Sequence, residues 1–307
     1  MAEYLTTTYI DTHHPLLPLY TYFYSPESSR RDKIKSIILL LHGAGGDHRQ
    51  FDDVFPLLVQ EGYQVMVCDI RYHGKSQPAN DTLLDKPIFD FHVIIKDINR
   101  ALTWYIKQQQ QESELTFSLI LGGLSMGGMI AQSYLYQHTN SLQATPNVKI
   151  HALLAFGCSN ILISDPIIPW MIFYKDACFD DDNVQAIILS ARKEIIDSAY
   201  QPLTKNQVHS ALTLVSDKIL FHCFCACANS FTFVSDKSLS NIRQLLIRGE
   251  YDLYTKEVMD AWYLKRRRLH GYMDVDYHVI PNTGHFVTME AGKQVAQHVI
   301  TFLSCKT

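Results

Sequence analysis

The chain has 307 residues, 47% hydrophobic and 19% charged, enough for one large core or for a core carrying an inserted subdomain. A net charge of −4 and a pI near 6.4 give no electrostatic reason to expect nucleic acid or an anionic membrane as partner. Seven cysteines show no repeated pair spacing, and an odd number cannot all pair within one chain, so reduced thiols in a cytoplasmic protein are expected.

From Met1, MAEYLTTTYI is polar and lacks the basic start and apolar run of a secretory signal. The longest apolar stretches, such as Ile37 to Leu41, are strand-sized, so stable membrane insertion is not expected. Strands are predicted at Leu19–Tyr24, Ile34–Leu41, Gln64–Ile70, Thr116–Leu121, Lys149–Phe156, Arg243–Ile247 and Val275–Ile280. Helical spacing appears at Arg49–Gln60, through Phe51, Val54, Phe55 and Leu58, and at Phe91–Lys107, through Ile94, Ile95, Ile98, Leu102 and Tyr105. The run Gln108 to Gln111 reads as the frayed end of the second of these helices. Met126–His138, Lys256–His270 and Glu290–Leu303 complete the helices. Alternating β and α units, with strands apolar on both faces, predict a doubly wound α/β fold with a mostly parallel sheet.

The alternation breaks from about Ser159 to Ser240, where prolines and helix-like pieces replace strands. The expected organisation is a core over residues 1–158, a helical cap insertion over 159–240 and the rest of the core over 241–307. Trp170, Phe173 and Tyr174 either line a pocket above the sheet or pack the insertion's own core; position alone does not choose.

LILGGLSMGGMIAQ, from Leu119, is an apolar strand, a glycine-rich turn and a helix pattern. A serine at such an elbow is held clear of the sheet edge, with the helix N-terminus beneath it favouring negative charge. Ser125 is therefore the candidate nucleophile. A hydroxyl needs a base, and the base an orienting acid. Asp252 lies on the turn after one later strand, and His285 on the loop after another, giving the chain order Ser, Asp, His. Glu250 is the rival acid, with Asp165 behind it. Among 14 histidines, His42 and His73 also sit near strand ends but precede Ser125 and suit loop-shaping. The strand from Ile37 runs into His42-Gly43-Ala44-Gly45-Gly46, a loop able to aim a backbone N–H at a developing oxyanion. Ala44 is the candidate donor there, and Met126, following the nucleophile, is the second.

These blocks resemble the α/β-hydrolase superfamily, in the group of small-molecule esterases, monoacylglycerol-type lipases and carbon–carbon bond hydrolases. The matching residues are His42-Gly43, Asp69 to Ser76 (similar to that group's D-x-R-x-x-G-x-S loop), Gly123 to Gly127, Gly249 to Asp252 and Gly284-His285-Phe286. Haloalkane dehalogenases and epoxide hydrolases are similar but place an aspartate where Ser125 stands. Leu124 departs from the histidine many relatives carry there. The resemblance implies a small acyl substrate, an acyl-enzyme on Ser125, and no metal or organic cofactor. It leaves open carbon–carbon cleavage, acyl transfer, or a ligand receptor that keeps the triad.

Two further motifs carry no chemistry in this reading. Cys223, Cys225 and Cys227 lack the spacing of a structural zinc site, and a helix places Cys223 and Cys227 on one buried face. Lys265-Arg266-Arg267-Arg268 reads as the solvated C-terminal end of a helix, with an acidic-group binding patch as the alternative.

Overall fold

The computed structural model describes residues 5–11, 18–25, 34–78, 87–109, 116–140, 148–161, 177–230, 242–270 and 275–305. Eight strands form one sheet: β1 (Leu5–Asp11), β2 (Pro18–Tyr24), β3 (Ile34–Leu41), β4 (Gln64–Cys68), β5 (Thr116–Leu124), β6 (Val148–Phe156), β7 (Arg243–Gly249) and β8 (Val275–Ile280). Their spatial order is β1-β2-β4-β3-β5-β6-β7-β8. β1 and β2 pair antiparallel, as do β2 and β4, and every other pair is parallel. The predicted α/β class is therefore observed.

The central strands are apolar because both faces are covered. Ile37 through Leu41 on β3 are at most 1% exposed, as are Leu245, Leu246 and Ile247 on β7. α1 (Phe55–Gln60), α2 (Phe91–Gln109), α3 (Met126–Asn140), α7 (Lys256–His270), α8 (Val287–Glu290) and α9 (Gly292–Ser304) belong to this core. On α2 the buried residues Phe91, Ile94, Ile95, Ile98, Leu102 and Tyr105 recur at helical spacing, so one face meets the core. No single helix among the described residues is long and apolar enough to cross a membrane.

Several predicted boundaries move for identifiable reasons. The helix predicted from Arg49 to Gln60 is a 3-10 turn at His48–Phe51 and then α1, whose start is set by Pro56 in its first turn. The strand predicted to Ile70 stops at Cys68, because Asp69 and Ile70 turn to bond the neighbouring loops. The helix predicted from Glu290 is split at Ala291, whose φ of −140° and ψ of 36° lie outside helical values. β1 was not predicted at all. Helix α2 ends at Gln109, and the rest of the glutamine run lies outside the described residues.

Between β6 and β7 the described residues hold three helices and no strand: α4 (Asp182–Asp197), α5 (Pro202–Leu212) and α6 (Asp217–Ser230). These helices fall within the stretch, 159–240, that the sequence reading assigns to a helical insertion. The boundary at residue 240, Asp165, and the aromatics Trp170, Phe173 and Tyr174 lie outside the described residues.

Candidate active site

Ser125, Asp252 and His285 follow β5, β7 and β8, and all three reach the same end of the sheet. In an open α/β sheet that end, past the carboxyl termini of the parallel strands, is where ligands bind. Ser125 has a φ of +53°, a left-handed conformation that a side chain rarely adopts, and its N–H is held by the Phe156 carbonyl at 2.9 Å. Glycine is required on both sides of it. A Cβ on Gly127 would lie 1.9 Å from the Leu41 carbonyl oxygen, and one on Gly123 would lie 2.2 Å from the Gly127 backbone. The elbow is thus a strained serine between two backbones in contact.

Asp252 is fully buried and faces His285, whose Nδ1 lies 3.1 Å from each carboxylate oxygen. The Thr255 hydroxyl and the N–H groups of Tyr254 and Thr255 also donate to this carboxylate. Burial pushes the Asp252 carboxyl up, but the neighbouring His285 and these donors more than reverse it, so it sits below the ordinary carboxylate range. Glu250, the rival acid, is exposed and accepts the Asn282 N–H at 3.1 Å, away from the histidine. The ring of Tyr254 stands edge-on to His285, with centroids 5.5 Å apart. Ser125 and His285 line one cavity, with no hydrogen bond between their side chains among the described contacts.

Across the cavity, three N–H groups of the loop after β3 are committed. Gly43 donates to Gln50 Oε1 at 2.8 Å, Gly45 to His73 Nε2 at 3.2 Å and Gly46 to the Gly43 carbonyl at 3.1 Å. Ala44 N–H has no protein acceptor among the described contacts, and Ala44 and Met126 both line the cavity beside Ser125. The two residues expected to supply oxyanion donors therefore border the same cavity as Ser125.

His42 and His73 hold this loop in place. His42 donates from Nδ1 to the Gly43 carbonyl at 2.8 Å and accepts the Ile70 N–H on Nε2 at 2.9 Å. His73 donates from Nδ1 to the Arg71 carbonyl at 3.0 Å and accepts the Gly45 N–H on Nε2. Each imidazole is buried and needs a bare Nε2, so burial lowers both, His73 to about 3. The Asp69–Ser76 loop braces them. Asp69 accepts the His48 ring and the N–H groups of His48 and Lys75, Arg71 pairs with Asp97 on α2, and Ser76 ties Asp69 to Tyr20. Burial pushes the Asp69 carboxyl up, and the His48 and Lys75 hydrogen bonds outweigh it and hold it low. Asp47, His48 and Asp69 bring ligand-type atoms within 4.8 Å of one another, but Arg49 already occupies the Asp47 carboxylate and His48 that of Asp69.

The cavity is about 440 Å³, within the range of small-molecule sites, and its lining is mostly apolar. Its roof comes from the insertion. On α4 the residues Ile187, Ser190, Ala191, Glu194 and Ile195 face it, spaced three and four apart so that they share one side of the helix, and Ser198 just past its end joins them. α6 adds Phe224 and Cys227. Sequence reasoning missed this stripe, Tyr254 and Thr255, although the stripe's helical period was there to be read.

Cys223 and Cys227 are buried on α6, as expected, and burial pushes both thiols up. The basic run on α7 needs correction: Arg266 is fully buried, so the run is not simply a solvated end. One turn of α7 carries Arg266 inward beside the buried Trp262, which a run of like charges in sequence does not reveal.

Residues 32–207 match the family described as Serine aminopeptidase, S33, which covers more than half of the chain. A Gibberella zeae AB hydrolase superfamily protein is 28% identical over 101 residues, which are 33% of this chain and 30% of that protein's length. Among solved structures, a thermophilic esterase from Thermogutta terrifontis superposes with a TM-score of 0.67 at 16% identity, covering 97% of this chain and 98% of the esterase. An esterase from Exiguobacterium antarcticum gives 0.65 at 18% identity, covering 98% and 100%. At such identities the superpositions speak to the fold alone.

Proposed function

The chain belongs to the α/β-hydrolase superfamily, within the family described as Serine aminopeptidase, S33, and from that premise we propose that it hydrolyses a carboxylic ester or related small acyl compound through an acyl-enzyme on Ser125. The observation that carries this reading is the buried Asp252–His285 pair opening onto the same apolar cavity as the strained Ser125. His285 Nε2 takes the proton of the Ser125 hydroxyl as Oγ attacks the acyl carbon. Asp252 fixes Nδ1–H and stabilises the imidazolium. The carbonyl oxygen becomes the oxyanion, held by the N–H groups of Ala44 and Met126. Collapse of the tetrahedral adduct expels the alcohol, which takes the proton from His285. Water then gives a proton to His285, attacks the acyl carbon and releases the acid, returning the proton to Ser125.

The mostly apolar lining of the cavity suits an aliphatic or aromatic acyl group. A second reading is favoured by Glu194, an acidic side chain on the cavity wall: an amide or ester whose acyl part carries a free amine. Ser125→Ala separates the chemistry from the fold. We expect it to abolish turnover of p-nitrophenyl butyrate while leaving thermal unfolding cooperative, and retained turnover would defeat the proposal. A parallel assay with aminoacyl-p-nitroanilides chooses between the two substrate readings.

A further inference from the structure

Glu290 lies five residues after His285, at the end of α8 and immediately before the break at Ala291. It does not line the cavity. Its carboxylate turns back on the chain, where Oε2 accepts the Gly284 N–H at 2.5 Å and Oε1 accepts the Gln201 N–H at 2.6 Å. The Gln201 side chain returns the contact, donating from Nε2 to the Glu290 main-chain carbonyl at 3.1 Å. Gly284 immediately precedes His285, whereas Gln201 belongs to the linker between α4 and α5, in the helical insertion.

Other contacts run along the same seam. The His285 N–H donates to the Ser198 carbonyl at 2.9 Å. A Cβ on Gly284 would lie 2.3 Å from that carbonyl oxygen, so only glycine permits the approach. Tyr200 stacks on Tyr251, the neighbour of Asp252, with ring centroids 4.7 Å apart. The loops bearing the acid and the base therefore both rest on one four-residue linker of the insertion, and Glu290 is the side chain bonded to both the His285 loop and that linker.

A carboxylate fits this place for a chemical reason. It presents two acceptor oxygens and no donor, and it meets main-chain N–H groups from two separate segments. Glutamine at the same position offers one acceptor and points an NH₂ at the other N–H. Burial pushes the Glu290 carboxyl up, against the N–H groups of Gln201, Gly284 and Tyr200 and the nearby His285. Such a half-buried group meets a local need for two acceptors, which surface exposure alone does not explain.

Resting on the reading of Ser125 as nucleophile, we propose that Glu290 is a positioning residue. It clamps the Gly284–His285 turn to the Ser198–Gln201 linker, so that docking of the insertion sets where His285 stands relative to Ser125. Reacting groups tolerate displacements of only a fraction of an ångström, so loosening this clamp acts on the rate and not on substrate affinity.

The test uses the full chain and a fluorophosphonate probe, whose reaction with Ser125 requires the base but no knowledge of the substrate. Glu290→Gln should label ten to a hundred times more slowly than wild type, per folded molecule, with KM for p-nitrophenyl butyrate within about twofold. Glu290→Asp, which keeps both acceptors on a shorter stem, should fall between the two, and it carries the test alone should Glu290→Gln not fold. Wild-type labelling rates in the folded variants, whatever their stability, overturn the proposal and leave the reading of Ser125 intact. Failure of wild type itself to label removes that reading, and this proposal with it.

Discussion

Two buried histidines at the same end of the sheet, His285 and His73, have opposite surroundings. His285 turns Nδ1 to a buried carboxylate that is itself held low by several donors, and Nε2 is left for the cavity that the residue lines. His73 is enclosed between two main-chain groups, donating to one and accepting from the other, and burial holds it neutral down to about pH 3. The first environment pairs the ring with a carboxylate and leaves Nε2 toward the cavity, whereas the second excludes a proton and uses the ring as a fixed strut for the loop after β3. What separates the two histidines is the partner on Nδ1, a carboxylate for His285 and a main-chain carbonyl for His73, since burial and position are shared by both.

Breaking the first environment should have the largest effect. Asp252→Asn keeps the shape of the side chain but presents an amide to Nδ1, favouring the wrong imidazole tautomer. Ester turnover should fall in kcat on the order of 10³- to 10⁴-fold, with far-UV circular dichroism unchanged. A loss under tenfold would mean that the pair does not act as acid and base.

The second environment should yield a stability effect in place of a rate effect. In the unfolded chain His73 takes a proton near its ordinary value of 6.5, whereas in the folded chain it does not until about pH 3. Its contribution is therefore present above pH 6.5 and is lost as pH falls toward 3, at about 1.4 kcal/mol per pH unit. Urea unfolding between pH 7 and 4 should show this contribution within the summed wild-type slope, to which other lowered histidines such as His42 add. His73→Gln, whose side-chain oxygen can still accept the Gly45 N–H, should make that slope shallower by about one proton while keeping kcat within a few-fold of wild type. An unchanged slope would place the acid sensitivity elsewhere.

The smallest expected effect sharpens the division between core and roof. Ile187→Ala trims the α4 stripe that lines the cavity. It should raise KM for long-chain p-nitrophenyl esters about fivefold, the worth of roughly 1 kcal/mol of apolar contact, and leave acetate esters unaffected. Equal changes for both chain lengths would remove α4 from the acyl-binding surface.

The core was legible because its signals are local. Runs such as Ile37–Leu41 announce buried parallel strands, and the Gly123–Gly127 elbow, Asp252 and His285 each sit just past a strand readable in the sequence. β1 escaped because LTTTYID is mostly polar and bonds on one side only, at the sheet edge, where selection for apolar residues is weak. Asp252 was separable from Glu250 only weakly by spacing, and only tertiary contact aims one at His285 and the other at Asn282. Sequence alone points to Ala44 as a donor only through its place in the loop. What singles it out is that Gln50 and His73, remote in sequence from one another, take the N–H groups on either side. Glu290 was invisible for the same reason, since its two partners lie 6 and 89 residues away.

The central claim is that Ser125 is a nucleophile driven by His285, and mapping the site of fluorophosphonate attachment by mass spectrometry tests it most directly. A single adduct on the peptide containing Ser125, lost in Ser125→Ala and at least a hundredfold slower to form in His285→Ala, is the predicted result. An adduct on another residue, or equal labelling rates in wild type and His285→Ala, would contradict it.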